Sequence, residues 1–85
     1  MGSMNWTLYM ARCADGSFYT GITNKGAAQR IHEHNHSPKG ARYTRSRRPV
    51  RFVYGISFDS RSAALKREAF MKKLSHQEKS KYCLA

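Results

Sequence analysis

Apolar residues along this chain recur with two different periods. Val50, Phe52, Tyr54, Ile56 and Phe58 alternate with other residues, the period-two pattern of a strand with one buried face. Trp6 to Cys13 and Ser17 to Ile22 are shorter aromatic and apolar runs on either side of Ala14-Asp15-Gly16, which predicts a hairpin. Ala27, Ala28, Ile31 and His34-Asn35 fall at helical spacing and predict a helix from about Gly26 to His36, ended by Ser37-Pro38-Lys39-Gly40. Asp59 or Ser60 caps a second helix, from Arg61 to about Leu74, with Ala64, Leu65 and Met71 as its core stripe. Ser75-His76-Gln77-Glu78 is a capping box and opens a last short helix. The expected fold is α/β: a three-stranded antiparallel sheet from residues 6–13, 17–22 and 50–58, flanked by helices, in one domain over residues 4–85. Met1-Gly2-Ser3 ahead of Met4 reads as a cloning remnant.

The hairpin register decides where two tyrosines point, because a one-residue slip turns every side chain to the other face. A two-residue Asp15-Gly16 loop pairs Tyr9 with Ile22 and Tyr19 with Arg12, and the phenols diverge. A three-residue loop puts Gly16 in the left-handed position of a bulged turn. Tyr9 then faces Gly21, Tyr19 faces Ala11, and both phenols share one face with small neighbours. The second register is the expectation, chosen because it gives the tyrosines a common site.

Charge narrows the partner. Sixteen Lys and Arg against five Asp and Glu give a net charge of +11 in 85 residues, a field that draws polyanions. Nucleic acid leads; an anionic membrane is the weaker reading, since no basic amphipathic helix stands apart from the core. No stretch is long and apolar enough to span a bilayer, and no signal peptide is evident. Cys13 and Cys83 are distant and unpatterned, and the four histidines give no finger spacing with them. The cysteines read as reduced thiols of a cytoplasmic protein, not as a zinc site or a disulfide. From Lys39 to Arg48 the chain collects Lys39, Arg42, Arg45, Arg47 and Arg48 around Tyr43 and Thr44, without an acid. Arginines interleaved with a tyrosine suit phosphate contacts and stacking, so this loop is the expected nucleic-acid contact.

The acids sort by elimination. Asp15 serves the turn, Asp59 a helix start, Glu78 the capping box, and Glu33 sits among polar residues as a solvated side chain. Glu68 differs, lying beside Ala64, Leu65 and Met71. It is either an ion-pair partner at the core edge or an oxygen ligand for a divalent cation, and Mg²⁺ needs no more than one or two carboxylates. Arg30 and His34, four apart on the first helix, are surface neighbours. Singly, each of these residues has an ordinary structural role.

Together, Thr7-Leu8-Tyr9, Tyr19-Thr20-Gly21, Arg30 through His34, and Glu68 resemble the GIY-YIG nuclease superfamily. Its signature is a Gly-Ile-Tyr strand, a Tyr-Ile-Gly strand, an arginine with a nearby histidine or tyrosine on the next helix, and a glutamate on a later one. The likeness covers nearly the whole chain from Met4. Lys39-Gly40-Ala41-Arg42-Tyr43-Thr44-Arg45 resembles the loop of the small single-domain bacterial branch, and Arg47-Arg48-Pro49 is similar to branched-DNA nucleases that act with a scaffold partner. Thr7 replaces the first glycine and Thr20 the second isoleucine; Asn35 is a candidate stand-in for an asparagine that some members place near the metal. The resemblance implies hydrolysis of DNA phosphodiesters, branched or single-stranded, with RNA as the alternative polyanion and a protein partner or homodimer supplying specificity. It implies Mg²⁺ or Mn²⁺ on Glu68, Arg30 on the phosphate, and Tyr9 taking a proton from the attacking water. Tyr19 positions water or phosphate, and His34 is a candidate acceptor of the phenolic proton. The competing reading is a nucleic-acid-binding module that keeps this fold with little or no turnover.

Overall fold

The computed structural model describes residues 5–83; the first three residues, read above as a remnant, lie outside them. Strands β1 (Trp6–Arg12), β2 (Phe18–Thr23) and β3 (Arg51–Phe58) form one antiparallel sheet in the order β2-β1-β3. Helices α1 (Ala27–His36) and α2 (Arg42–Arg45) connect β2 to β3, and α3 (Arg61–Lys72) and α4 (His76–Ser80) follow. This is the α/β architecture expected from the sequence. The one-turn α2 is the addition, within a segment read as loop.

The hairpin takes the three-residue loop. Cys13 N–H donates to Ser17 O at 2.8 Å, and Gly16, at φ 86°, has the left-handed backbone that the bulged turn demands of a glycine. Asp15 Oδ1 accepts from Ser17 N–H and Oγ, which fixes the turn chemistry. Tyr9 therefore faces Gly21 and Tyr19 faces Ala11.

Pairing of β3 with β1 departs from the simple alternation. Met10 faces Tyr54 but Ala11 faces Phe52, so Val53 is an extra residue in a bulge. Val53 joins Leu8, Met10, Phe18 and Met71 in the main core, with Tyr54 and Phe58 packed against them. The expected single buried stripe is thus broken: Phe52 and Ile56 are 41% and 39% exposed. Complete burial of side chains such as Leu8 and Met10 stabilises the fold by about 1.5–3 kcal/mol each. On the opposite face a smaller core of Ala11, Cys13 and Val50 receives Tyr19 and Ile31 of α1.

The caps match the sequence signals. Ser60, not Asp59, caps α3 by accepting from Ala63 N–H, and the Ser75–Glu78 capping box is complete. Leu65 of the expected α3 stripe is exposed, while Ala64 and Met71 are fully buried. Asn35 ties α1 to the start of β3, donating to Val50 O at 2.9 Å and accepting from Val50 N–H at 2.7 Å. Its amide is occupied by backbone, which removes it as a stand-in near a metal.

Candidate active site

Position 21 is where the site becomes possible. A Cβ on Gly21 would lie 2.9 Å from Tyr9 Oη, 3.1 Å from Tyr9 Cζ and 3.0 Å from Tyr19 Cε2. The absent side chain is the space that both phenols occupy. Their ring centroids are 6.2 Å apart, and His34 of α1 completes an aromatic triangle at 5.8 Å from Tyr9 and 5.1 Å from Tyr19.

Tyr9 Oη and His34 Nε2 are 2.6 Å apart in a buried hydrogen bond. The other ring nitrogen fixes its direction. Ala41 N–H, which can only donate, points at Nδ1 from 3.2 Å, and Thr44 Oγ1 lies 2.9 Å from the same atom. Nδ1 without a proton accepts from the Ala41 N–H; Nδ1 with a proton would leave that N–H facing another N–H. The threonine hydroxyl donates to Ala41 O at 2.9 Å, so it is the Ala41 N–H that sets the tautomer. The neutral imidazole therefore carries its proton on Nε2 and donates it to Tyr9, and the phenolic O–H points elsewhere.

Burial, together with the neighbouring guanidinium of Arg30, lowers the His34 pKa to about 4, so the ring is neutral at physiological pH. Burial also raises the Tyr9 pKa, aided by Tyr19 and by the field of Glu68, while Arg30 works in the opposite sense. Tyr9 is hence a neutral phenol, beside Arg30 of α1 and in the field of Glu68 of α3. Arg30 is held in turn by Glu33 Oε1 at 2.7 Å and by Lys39 O at 2.9 Å. Glu33, expected to be solvated, is nearly buried, and Lys25 binds its second oxygen at 3.1 Å. The i,i+3 spacing of Arg30 and Glu33 was the signal available in the sequence; the contacts from Lys25 and Lys39 arise only through the fold.

Glu68 is the fifth expected residue. Its side chain is 18% exposed and pairs loosely with Lys72 at 3.4 Å. No group of three or more His, Cys, Asp or Glu side chains able to hold a metal occurs among the described residues. A lone, accessible carboxylate suits a hard cation that keeps most of its waters and uses phosphate oxygens as further ligands. It does not suit zinc.

The basic loop divides in two. Lys39, Arg42, Tyr43 and Arg45 are exposed beside the site. Arg47 is anchored, its Nε donating to Asp15 at 3.0 Å and its guanidinium lying 4.0 Å from the Tyr43 ring centroid. Arg48 donates to the carbonyls of His34 and Ser37 and so closes the C-terminus of α1. Thr44 corrects the expectation for this loop: α2 turns it inward, where it is fully buried against His34 and offers nothing to a nucleic acid.

The sequence matches the GIY-YIG catalytic domain over residues 5–82, and the chain belongs to that family. The domain is that of a nuclease acting on nucleic acid, a class that generally uses divalent metals. More narrowly, the chain is similar to UPF0213 proteins: 57% identical over 74 residues to one from Desulfotalea psychrophila, and 47% over 78 residues to one from Cupriavidus necator. Those matches cover 87% and 92% of this chain, and 66% and 83% of the relatives. The solution NMR structure of a UPF0213 protein from Bacillus halodurans is similar at TM-score 0.56 and 42% identity, and that of a protein from E. faecalis at 0.61 and 42%. Each covers 92% of this chain and 81% of the other. No helix among the described residues is long and apolar enough to cross a membrane.

Proposed function

We propose that the protein is a divalent-metal-dependent endonuclease that hydrolyses phosphodiester bonds in DNA. The observation that carries this reading is that Tyr19, His34 and Arg30 gather on Tyr9 in the space left by Gly21, with Tyr9 also in the field of Glu68. A purely structural cluster has no use for a carboxylate, a guanidinium and two phenols within one another's fields.

Hydrolysis requires a proton acceptor for the attacking water and positive charge on the phosphate. The Tyr9 oxygen receives the His34 Nε2–H bond and the Arg30 field, both of which favour phenolate. Burial, Tyr19 and Glu68 outweigh them in the free protein. Glu68 would hold the divalent cation, which would supply positive charge to the reacting phosphate and offset the Glu68 charge that keeps Tyr9 protonated. Arg30, fixed by Glu33 and Lys39 O, faces the phosphate, while Tyr19, less buried than Tyr9, positions water or a phosphate oxygen. His34 acts as a donor that keeps the Tyr9 oxygen in place. Free thiols at Cys13 and Cys83 suit a reducing compartment.

The test is cleavage of labelled single-stranded, duplex, flap and four-way DNA with Mg²⁺ or Mn²⁺, for wild type, Glu68→Ala and Tyr9→Phe. Metal-dependent cutting should vanish in both variants while salt-sensitive binding persists, tightening in Glu68→Ala as a negative charge is lost. Binding without cutting by the wild type on every substrate would replace this reading with that of a binding module.

A further inference from the structure

Two of the four histidines are engaged within the fold. His34 turns inward to Tyr9 and Thr44, and a ring nitrogen of His76 meets Gly16 O at 3.0 Å. His32 and His36, one turn apart on α1, are exposed, with ring centroids 4.6 Å from each other and planes 36° from parallel. Residues four apart on a helix are surface neighbours, which is how two imidazoles on one helix face grip a single metal ion. The separation is the one a shared ion demands. Metal–nitrogen bonds of about 2.0–2.1 Å put each ring centroid roughly 3.2 Å from the ion, so rings meeting there at about 90–110° have centroids about 4.5–5.2 Å apart. The pair can close on an ion by side-chain rotation, with no change in the helix. The ion would also lie at the last turn of α1, where the partial negative charge of the helix C-terminus favours a cation.

We propose that His32 and His36 form a surface chelate for a transition-metal ion that favours imidazole, Zn²⁺, Ni²⁺ or Cu²⁺. His32-Glu33-His34-Asn35-His36 also matches the H-E-x-x-H spacing of helical zinc hydrolases, but the fold removes the hydrolytic part. Both Glu33 oxygens are taken, by Arg30 at 2.7 Å and Lys25 at 3.1 Å, and the residue is nearly buried, so it cannot act as a base on metal-bound water. No third His, Cys, Asp or Glu joins the pair among the described residues. The site therefore captures an ion through two nitrogens, with water in the remaining positions, and ties the last turn of α1 together. It differs from Glu68 in its helix and in its chemistry, because Mg²⁺ prefers oxygen and is a poor partner for imidazole. The chelate stands independently of the nuclease reading.

The experiment is isothermal titration of the full chain with Ni²⁺, for wild type, His32→Ala, His36→Ala and His76→Ala. Alanine suits a helix and both α1 rings are exposed, so the first two variants keep the helix. Wild type should bind one ion per chain. His32→Ala and His36→Ala should each weaken binding at least about tenfold, because the second nitrogen no longer engages within the same molecule. His76→Ala, or a large excess of Mg²⁺, should change it by less than about twofold. With Ni²⁺ at about ten times its dissociation constant, wild type should melt roughly 5–10 °C higher than without metal, and either α1 variant within about 3 °C. Zn²⁺ in place of Ni²⁺ should shift the ring ¹H–¹⁵N signals of His32 and His36 and leave those of His34 in place. Equal binding by wild type and the α1 variants, ring shifts at His76 instead, or displacement of Ni²⁺ by Mg²⁺ would each overturn the chelate. None of these readouts involves nucleic acid, so the nuclease reading stands or falls separately.

Discussion

Gly21→Ala asks whether the phenol pair needs its empty position. The new methyl carbon would stand 2.9 Å from Tyr9 Oη, 3.1 Å from its Cζ and 3.0 Å from Tyr19 Cε2. Non-bonded carbons settle at about 3.5–4.0 Å, so the rings must withdraw by roughly half an ångström. Tyr9 is buried and tied to His34 at 2.6 Å, so the shift is taken up in that bond and in the packing around it. Overpacking of this kind costs about 1–3 kcal/mol, which for a domain of this size lowers Tm by roughly 4–24 °C. A misplacement of about 1 Å costs on the order of a hundredfold in rate, so half of that predicts about a tenfold loss. Circular dichroism melts give the first quantity. Single-turnover cleavage well below both midpoints gives the second, with both proteins fully folded. A variant within about 2 °C and twofold of wild type would show that the phenols are not held where their proximity to Gly21 implies.

His34 makes stability pH-dependent. Its folded pKa of about 4 lies below the ordinary value of 6.5, so between these values the unfolded chain binds the extra proton. Stability is then complete above about pH 6.5 and falls by about 2–3 kcal/mol as pH drops toward 4; urea midpoints across that range should decline, and should stay nearly flat in His34→Gln. Asn35→Val removes both bonds to the Val50 backbone and leaves its buried N–H and C=O to find other partners. A loss of about 2–3 kcal/mol by urea unfolding is expected, with an unchanged midpoint refuting the clamp. In Gly40→Ala the Cβ would meet His34 Cα at 2.8 Å and Glu33 O at 2.9 Å, both backbone atoms that cannot yield. The loop must lift, breaking the 3.2 Å bond from Ala41 to Nδ1, so the His34 Nε2–H signal in a ¹⁵N spectrum should shift or vanish.

The strands and the helix starts were legible because local rules govern them, with Asp59 or Ser60 and the Ser75–Glu78 box as cap signals. Asp15-Gly16 allowed two loop lengths, and the register followed from requiring the two tyrosines to share a face. The β3 stripe was misread because a bulge at Val53 depends on the partner strand and leaves no trace in the alternation itself. The members of the site were visible as residue types in order along the chain. Their connections were not. Thr44 looked like one more polar residue in a basic loop until α2 turned it inward, and Glu33 looked solvated until Lys25 and Arg30 closed on it. The Arg30–Glu33 pair is an i,i+3 contact that helical spacing could have flagged, whereas Lys25 and Thr44 reach α1 from outside it, which periodicity does not report.

The segment from Ser37 to Arg48 carries much of the basic charge yet is not a loose arm. Arg45 donates to Pro38 O, Arg47 grips Asp15 and Tyr43 O, Ala14 N–H donates to Arg47 O, and Arg48 closes α1. If a nucleic-acid strand binds here as proposed, it would meet side chains already arranged, and little chain entropy would be lost. The thermodynamic signature of such a rigid receptor is a small heat-capacity change, set by the surface covered and not by folding of the protein around its ligand. A flexible basic tail of equal charge would attract the same polyanion, but it could not deliver the backbone to a fixed position beside Tyr9.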